Sequence, residues 1–476
     1  MLQFHFLNDE RKRFPWVPAL VLYVASYFMM FFFLDAKFWD DWMVNIQMTP
    51  SESHKYWKDM IAMFPTNRFI EISLLHRNPI AMHLLTFVLH FVNGLLVFQI
   101  LKRVKFIRFS LVAAITLIFL VLPINSARVA MVDFRYTYSL SLFLVGWYLL
   151  VQDKSRVLRV FAIAVFVSSF IVQSLLVFFV APCVHLFIVN YFESGIRKMR
   201  ALFCSAALFL VAPTYFVLVR LIDPPVSTRT EYYTPSISGS AKGLLLVLVS
   251  AFWVFNSFRG TARLDSVNRK QLMSVGAFLV SIGAFAYMAA DNLSDISEWM
   301  LNFVPRASDW DSRHQLLMGL GISCLIIGLL GDLHSRSKKQ LFSVILTVCV
   351  VFNFIMMKSY FLDWRKQVEV IELIRSGEFD PSTKVIEVLD DVSARRFNAR
   401  GRAIRDYEWE AIIQYASGRK DLIVRQRSAF ECSNSSQSNP DTLLRVEAVG
   451  SYAKAVLSGD PSVVISIHAL PLCSDD

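Results

Sequence analysis

Apolar residues in this chain come in long unbroken runs. They do not show the short alternation of a half-buried strand or the single stripe of a surface helix. Helices are predicted at about 16–34, 79–101, 109–124, 136–151, 160–192, 201–222, 242–256, 272–290, 315–331 and 341–359. These runs approach or reach the roughly 17–22 residues needed to cross a bilayer. The run 160–192 is too long for one crossing and is interrupted by Gln173-Ser174, so it reads as two spans hinged near Gln173. About eleven spans result. After residue 360 the pattern changes. Turn signals appear at Gly377, Asp380-Pro381, Gly401, Asn439-Pro440 and Asp460-Pro461. Runs at 384–389 and 462–467 predict strands, and 405–417 and 441–457 predict helices.

The expected fold is therefore an α-helical polytopic membrane protein. Residues 1–360 form the transmembrane part, and 361–476 a small C-terminal α/β extracytoplasmic domain. Composition agrees: 55% of the 476 residues are hydrophobic and only 18% charged, too few charges for a soluble chain of this length.

The net charge of +10 is explained by topology. Every second connection holds a basic cluster: Arg11-Lys12-Arg13, Lys102-Arg103, Lys154 with Arg156, Arg197-Lys198, Arg259 with Arg263, and Lys338-Lys339. By the positive-inside rule these connections and the N-terminus are cytoplasmic. An odd number of spans then puts the C-terminal domain outside. The expected location is the plasma (inner) membrane, and no nucleic-acid partner is expected. The first run lacks a small-residue cleavage site and reads as a retained anchor. Cys183, Cys204, Cys324 and Cys349 fall in apolar runs and read as packing residues. Cys432 and Cys473 fall in the tail, where an oxidising compartment would allow a disulfide.

Candidate chemistry gathers in the outer loops. The first, 35–78, begins with Phe38-Trp39-Asp40-Asp41-Trp42. The aromatics suit the headgroup layer, and a carboxylate there could act as a base on a lipid-borne substrate. Asp41 is the favoured base. Asp40 is its partner or a ligand for a divalent metal (Mg or Mn), and no cofactor is otherwise expected. An ordinary acidic loop beside an aromatic belt is the plainer explanation of these five residues alone. Asp133, in the next outer loop, is a second candidate acid. Arginines recur on the outer side, where the topology rule disfavours them: Arg68, Arg77, Arg128, Arg135, Arg220, Arg229, Arg306 and Arg313. The guanidinium fork suits phosphate. Arg135, Arg313, Arg128 and Arg306 are the candidates for binding a donor phosphate; local acids are the alternative partners. Within the second span His83, Thr86, His90 and Asn93 share one helical face and read as a structural polar stripe.

These residues resemble a known family. The Asp pair after the first span, the run Arg77-Asn78-Pro79 with His83, Thr86, His90 and Asn93, the loop Leu122-Pro123-Ile124-Asn125 through Val129 to Arg135, and Ser312-Arg313-His314 are together similar to motifs of the GT-C superfamily. That superfamily comprises polyprenol-dependent membrane glycosyltransferases; the likeness is to the O-mannosyltransferase or TMTC-type branch. Leu122 and Asn125 stand where that branch has histidines, and Thr86 where it has asparagine. The resemblance covers residues 15–160 well and 200–330 loosely. It implies inverting transfer of a sugar from a polyprenyl-phosphate donor to a glycan, lipid or protein acceptor on the outer face of the bilayer. A lipid-linked glycan transporter or polymerase-type protein and a non-catalytic scaffold are the competing expectations.

Overall fold

The computed structural model describes residues 14–42, 78–104, 107–152, 155–170, 172–193, 208–222, 236–259, 267–289, 310–331, 333, 335–376, 385–390, 404–426, 442–448 and 465–470. Helix occupies each predicted apolar run. The helices are α1 (Trp16–Tyr27), α2 (Pro79–Lys102), α3 (Phe109–Val121), α4 (Phe134–Gln152), α5 (Arg156–Ser169), α6 (Ser174–Phe178), α7 (Val180–Glu193), α8 (Val211–Ile222), α9 (Ile237–Phe258), α10 (Arg269–Ala289), α11 (Gly319–Leu330) and α12 (Arg336–Arg375). A 3-10 turn, Phe28–Phe32, extends α1. The long run 160–192 breaks at 170–173, beside Gln173.

Four of these helices, α2, α9, α10 and α12, are long and apolar enough to cross a membrane; the other apolar helices are shorter. Their outward faces are apolar too. Leu245, Phe252 and Phe255 on α9, and Val344, Val351 and Ile355 on α12, are all exposed. Hydrocarbon is a suitable solvent for such faces and water is not.

The bundle interior is close-packed. α1, α3 and α12 pack together, α2 lies on α3 and α4, and α10 lies between α9 and α11. At the α10–α11 crossing the two backbones nearly touch. A Cβ on Gly321 would lie 2.7 Å from the Val280 nitrogen and 2.8 Å from the Gly276 oxygen. A Cβ on Gly276 would lie 2.9 Å from the Gly321 oxygen. Small residues are what allow helices to approach this closely. The start of α2 is set locally: Asn78 caps it, its Oδ1 accepting from the Ala81 N–H at 3.1 Å, and Pro79 opens the first turn.

Beyond the bundle lies a four-stranded sheet made of β1 (Val385–Asp390), β2 (Ile423–Gln426), β3 (Thr442–Ala448) and β4 (Ile465–Leu470), in the order β2-β1-β3-β4. β1 runs parallel to β2 and β3, and β4 is antiparallel to β3. α13 (Asp406–Ser417) packs beside β2. The predicted strand at 384–389 and helix at 405–417 are present. Thr442–Ala448 was expected inside a helix at 441–457 and is instead a strand. Its partners on both sides supply a ladder that overrides local preference. The expected boundary at residue 360 falls inside α12, which continues unbroken to Arg375. Val370, Ile371 and Ile374 of α12 share a core with Ile386, Val388, Trp409, Ile412 and Ile413.

Gly321→Leu should force α10 and α11 apart and destabilise the protein by about 3 kcal/mol or more, the upper range for overpacking. Leu245→Ala, on an outward face, should change stability by less than about 0.5 kcal/mol. Thermal melts of the two detergent-solubilised variants check both.

Candidate functional site

Three segments meet at one end of the bundle. They are the stretch 34–42 after α1, the stretch 122–133 before α4, and the 3-10 turn Trp310–Met318 that leads into α11.

Asp41 joins the first two segments. Its side chain is completely buried. Its Oδ2 accepts from the backbone N–H of Phe38 at 3.0 Å and of Met131 at 2.9 Å, and its Oδ1 accepts from the N–H of Val132 at 2.8 Å. Three amide donors in a dry site stabilise a carboxylate strongly. They also occupy both of its oxygens. A general base needs a lone pair facing substrate, and this geometry commits Asp41 to holding the two loops. Asp41, the base favoured from the sequence, is thus fully buried and bonded to the backbone of both loops. The polar stripe of the second span revealed this no better than the acidic motif did, because Asp41's distant partners are backbone amides about ninety residues away. Backbone donors leave no mark in side-chain identity.

Asp40 sits in the same helical turn, Asp40–Trp42. Its side chain lies outside the described residues, as do Arg306, Arg68, Arg77, Arg229, the remainder of the first outer loop, and Cys432 and Cys473.

His83 makes a second bridge between the same loops. Its Nδ1 is 2.6 Å from the Leu34 carbonyl oxygen and its Nε2 is 2.6 Å from that of Val129. A neutral imidazole can donate to only one of these at a time. His83, Thr86, His90 and Asn93 of α2 are all buried. His83 fastens α2 to the outer loops, while His90 bonds to Arg128 and packs against Tyr23 and Tyr27 of α1 and Phe119 of α3.

The third segment is tied on by side chains. Ser312 Oγ accepts from the Ala127 N–H at 2.8 Å and pairs with Ser126 Oγ at 3.0 Å. The Asn125 N–H donates to Gln315 Oε1 at 3.2 Å. Ser312 and Gln315 therefore join the Asn125–Ala127 stretch, about 190 residues away in the chain.

The arginines separate into two groups. Arg128 is buried, donates from Nη1 to His90 Nε2 at 3.0 Å, and stacks 4.4 Å above the Tyr27 ring. Beside it is a cavity of about 10 Å³, lined by Tyr23, Tyr27, His83, Thr86 and His90 among others. That is room for about one water. Arg128 is thus braced through Nη1 and its stacking on Tyr27, while its buried Nη2 has no hydrogen-bond partner among the described residues. Arg313 is also buried, and it lies with Asp133 within electrostatic range of the Tyr287 hydroxyl. Tyr287 in turn shares a hydrogen bond with Ser174 Oγ at 3.0 Å. Arg135 is half-buried, with its guanidinium 4.9 Å from the Tyr136 ring. Arg135, Arg313, Asp133, Tyr136 and Tyr287 thus form one polar cluster between the second loop and α10.

Lys37 stands at the edge of this assembly, its ammonium 5.1 Å from the Trp42 ring and 5.0 Å from the Tyr415 ring. Burial pulls its pKa below the ordinary lysine value, and the nearby Tyr415, Asp41 and Asp35 oppose that shift. Among the described residues no group of three or more His, Cys, Asp or Glu could hold a metal ion.

No known protein family matches the chain, and no curated protein matches it either.

Asp41→Asn places an amide NH₂ against backbone N–H donors. It should cost about 3 kcal/mol, the upper range for a hydrogen-bonded charge. A lowered melting temperature, with faster hydrogen exchange at residues 131–132, is the expected result. A melt identical to wild type would show that the carboxylate is not needed to hold the loops.

Proposed function

We propose that this chain is an inverting glycosyltransferase of the GT-C type. It would transfer a sugar from a polyprenyl-phosphate donor to a glycan, lipid or protein acceptor at the outer face of the plasma (inner) membrane. About eleven spans, a cytoplasmic N-terminus and an extracytoplasmic C-terminal domain belong to the same proposal. The observation that supports it most is the joining of three loop segments at one end of an apolar bundle, which concentrates arginines and carboxylates where a lipid-borne phosphate would arrive.

With Asp41 committed to backbone amides, the proposed base becomes Asp40. In the reaction, Asp40 takes the proton from the acceptor hydroxyl. The hydroxyl oxygen attacks the anomeric carbon from the face opposite the phosphate, and the bond to the phosphate oxygen breaks as the new glycosidic bond forms. Inversion follows from that geometry. The departing polyprenyl phosphate carries the electron pair, and Arg313 and Arg135, with Arg306, stabilise its charge. Asp133, in the same cluster, is the second candidate acid. A positioned base contributes about 10²–10⁴-fold. A divalent metal at Asp40 is an optional part of this scheme.

A non-catalytic scaffold remains the second reading. The observation favouring it is that Asp41, the most conspicuous acid of the first loop, serves structure. Asp40→Asn separates the two. An enzyme loses at least about a hundredfold in sugar transfer, at an unchanged melting temperature. Arg313→Ala should weaken donor binding about tenfold or more, read from the donor concentration that half-saturates transfer; a buried phosphate contact is worth roughly 1.5–3 kcal/mol. Full transfer activity in the purified Asp40→Asn protein would eliminate the proposed base.

A further inference from the structure

The residue just before Asp40 has an unusual backbone. Trp39 adopts a φ of 52°, in the left-handed region that a bulky side chain seldom occupies. Such a conformation survives only where its surroundings over-determine it. Two features hold it. The Trp39 indole is buried against Phe38 and Tyr360, at ring-centroid distances of 6.2 and 5.8 Å. The Trp39 N–H donates to Glu408 Oε2 at 3.0 Å.

Glu408 is an unusual partner. It belongs to α13, far along the chain, and it is completely buried. Its other oxygen, Oε1, accepts from the Arg405 N–H at 3.2 Å and closes the cap of α13. One carboxylate therefore fixes the start of α13 and the peptide that leads into Asp40. Trp42, on the far side of Asp40, is anchored in a similar way. Its Nε1–H donates to Gln367 Oε1 of α12 at 2.8 Å, and its ring sits in the core shared by α12, α13 and the sheet.

We infer that Glu408 is a positioning residue for the proposed base. The unit built on α13 and the sheet is thus a component of the site, which is incomplete without it. The inference rests on the reading of Asp40 as the base. Glu408 need not touch the substrate. It fixes the φ of Trp39 and with it the backbone of the peptide that leads into Asp40. Burial of a carboxylate is costly unless its hydrogen bonds are made. Here those bonds cross from α13 to the first loop.

The test uses full-length protein in lipid nanodiscs, with Glu408→Gln, Glu408→Ala and, as a control, Glu410→Ala. Glu410 lies on the same helix and bonds to Gln414. Hydrogen exchange of the peptide 36–42 is measured beside steady-state transfer from a polyprenyl-phosphate sugar. Glu408→Ala should speed exchange at 36–42 about tenfold. It should lower kcat by a similar factor and leave the donor KM unchanged. Glu408→Gln has one oxygen for two amides and should fall between alanine and wild type, and it carries the test if the alanine variant does not fold. The Glu410 variant should match wild type. Unchanged exchange at 36–42 in the folded Glu408 variants overturns the inference. So does a fall in activity that merely follows the fraction of folded protein. Faster exchange at 36–42 with a wild-type protein that transfers no sugar supports the contact and overturns the catalytic role assigned to it.

Discussion

The carboxylate of Asp41, wrapped by three backbone amides, is the constraint on which the loop assembly depends. A charge in a dry site is tolerated only when its hydrogen bonds are nearly complete. Asp41 meets that condition by drawing in the amides of Met131 and Val132. The two loops must therefore come together for the charge to be buried at all. His83 repeats the logic with opposite polarity, facing the carbonyl oxygens of Leu34 and Val129. Between them, an acid collects backbone donors from both loops, and an imidazole lies between a carbonyl of each and donates to one.

That arrangement also explains where backbone strain is found. Among the described residues the non-glycine positions with positive φ are Trp39 and Asn125, one in each of the loops that Asp41 joins. Each costs on the order of 1–3 kcal/mol. Trp39 is held by Glu408, and the N–H of Asn125 by Gln315. Both holding groups come from other segments. The strain is thus a consequence of closing the assembly from several directions. It sits next to the residues proposed to do chemistry, where a fixed orientation is worth most.

The helices were legible because a bilayer-length apolar run is a signal carried by composition alone. The break near Gln173 was legible because a polar pair interrupts such a run. The strand Thr442–Ala448 was not, since its state depends on pairing with β1 and β4. The candidate site divides along the same line. The acidic pair, the outer arginines and the polar face of α2 stand out as residue types in unexpected places. That Asp41 turns inward, and that Arg128 is braced against His90 and Tyr27, depends on contacts between segments distant in sequence. Glu408 was missed altogether. Its only local signal is a glutamate in the first turn of α13, which reads as an ordinary helix cap.

The continuity of α12 decides how these parts can move. Forty residues at 1.5 Å each make a helix of roughly 60 Å, twice the thickness of the hydrocarbon layer. Its first half presents Val344, Val351 and Ile355 outward, and its second half carries Gln367 and the core residues Val370 to Ile374. A helix without a break transmits orientation better than a linker does. The sheet and α13 therefore cannot swing freely relative to the bundle while Gln367 holds Trp42. Any tilt of α12 would be felt at both Trp42 and Trp39, on either side of Asp40. The first loop is thus positioned from its bundle side by Asp41 and from its far side by α12 and α13, and a change at either attachment reorients the same short peptide.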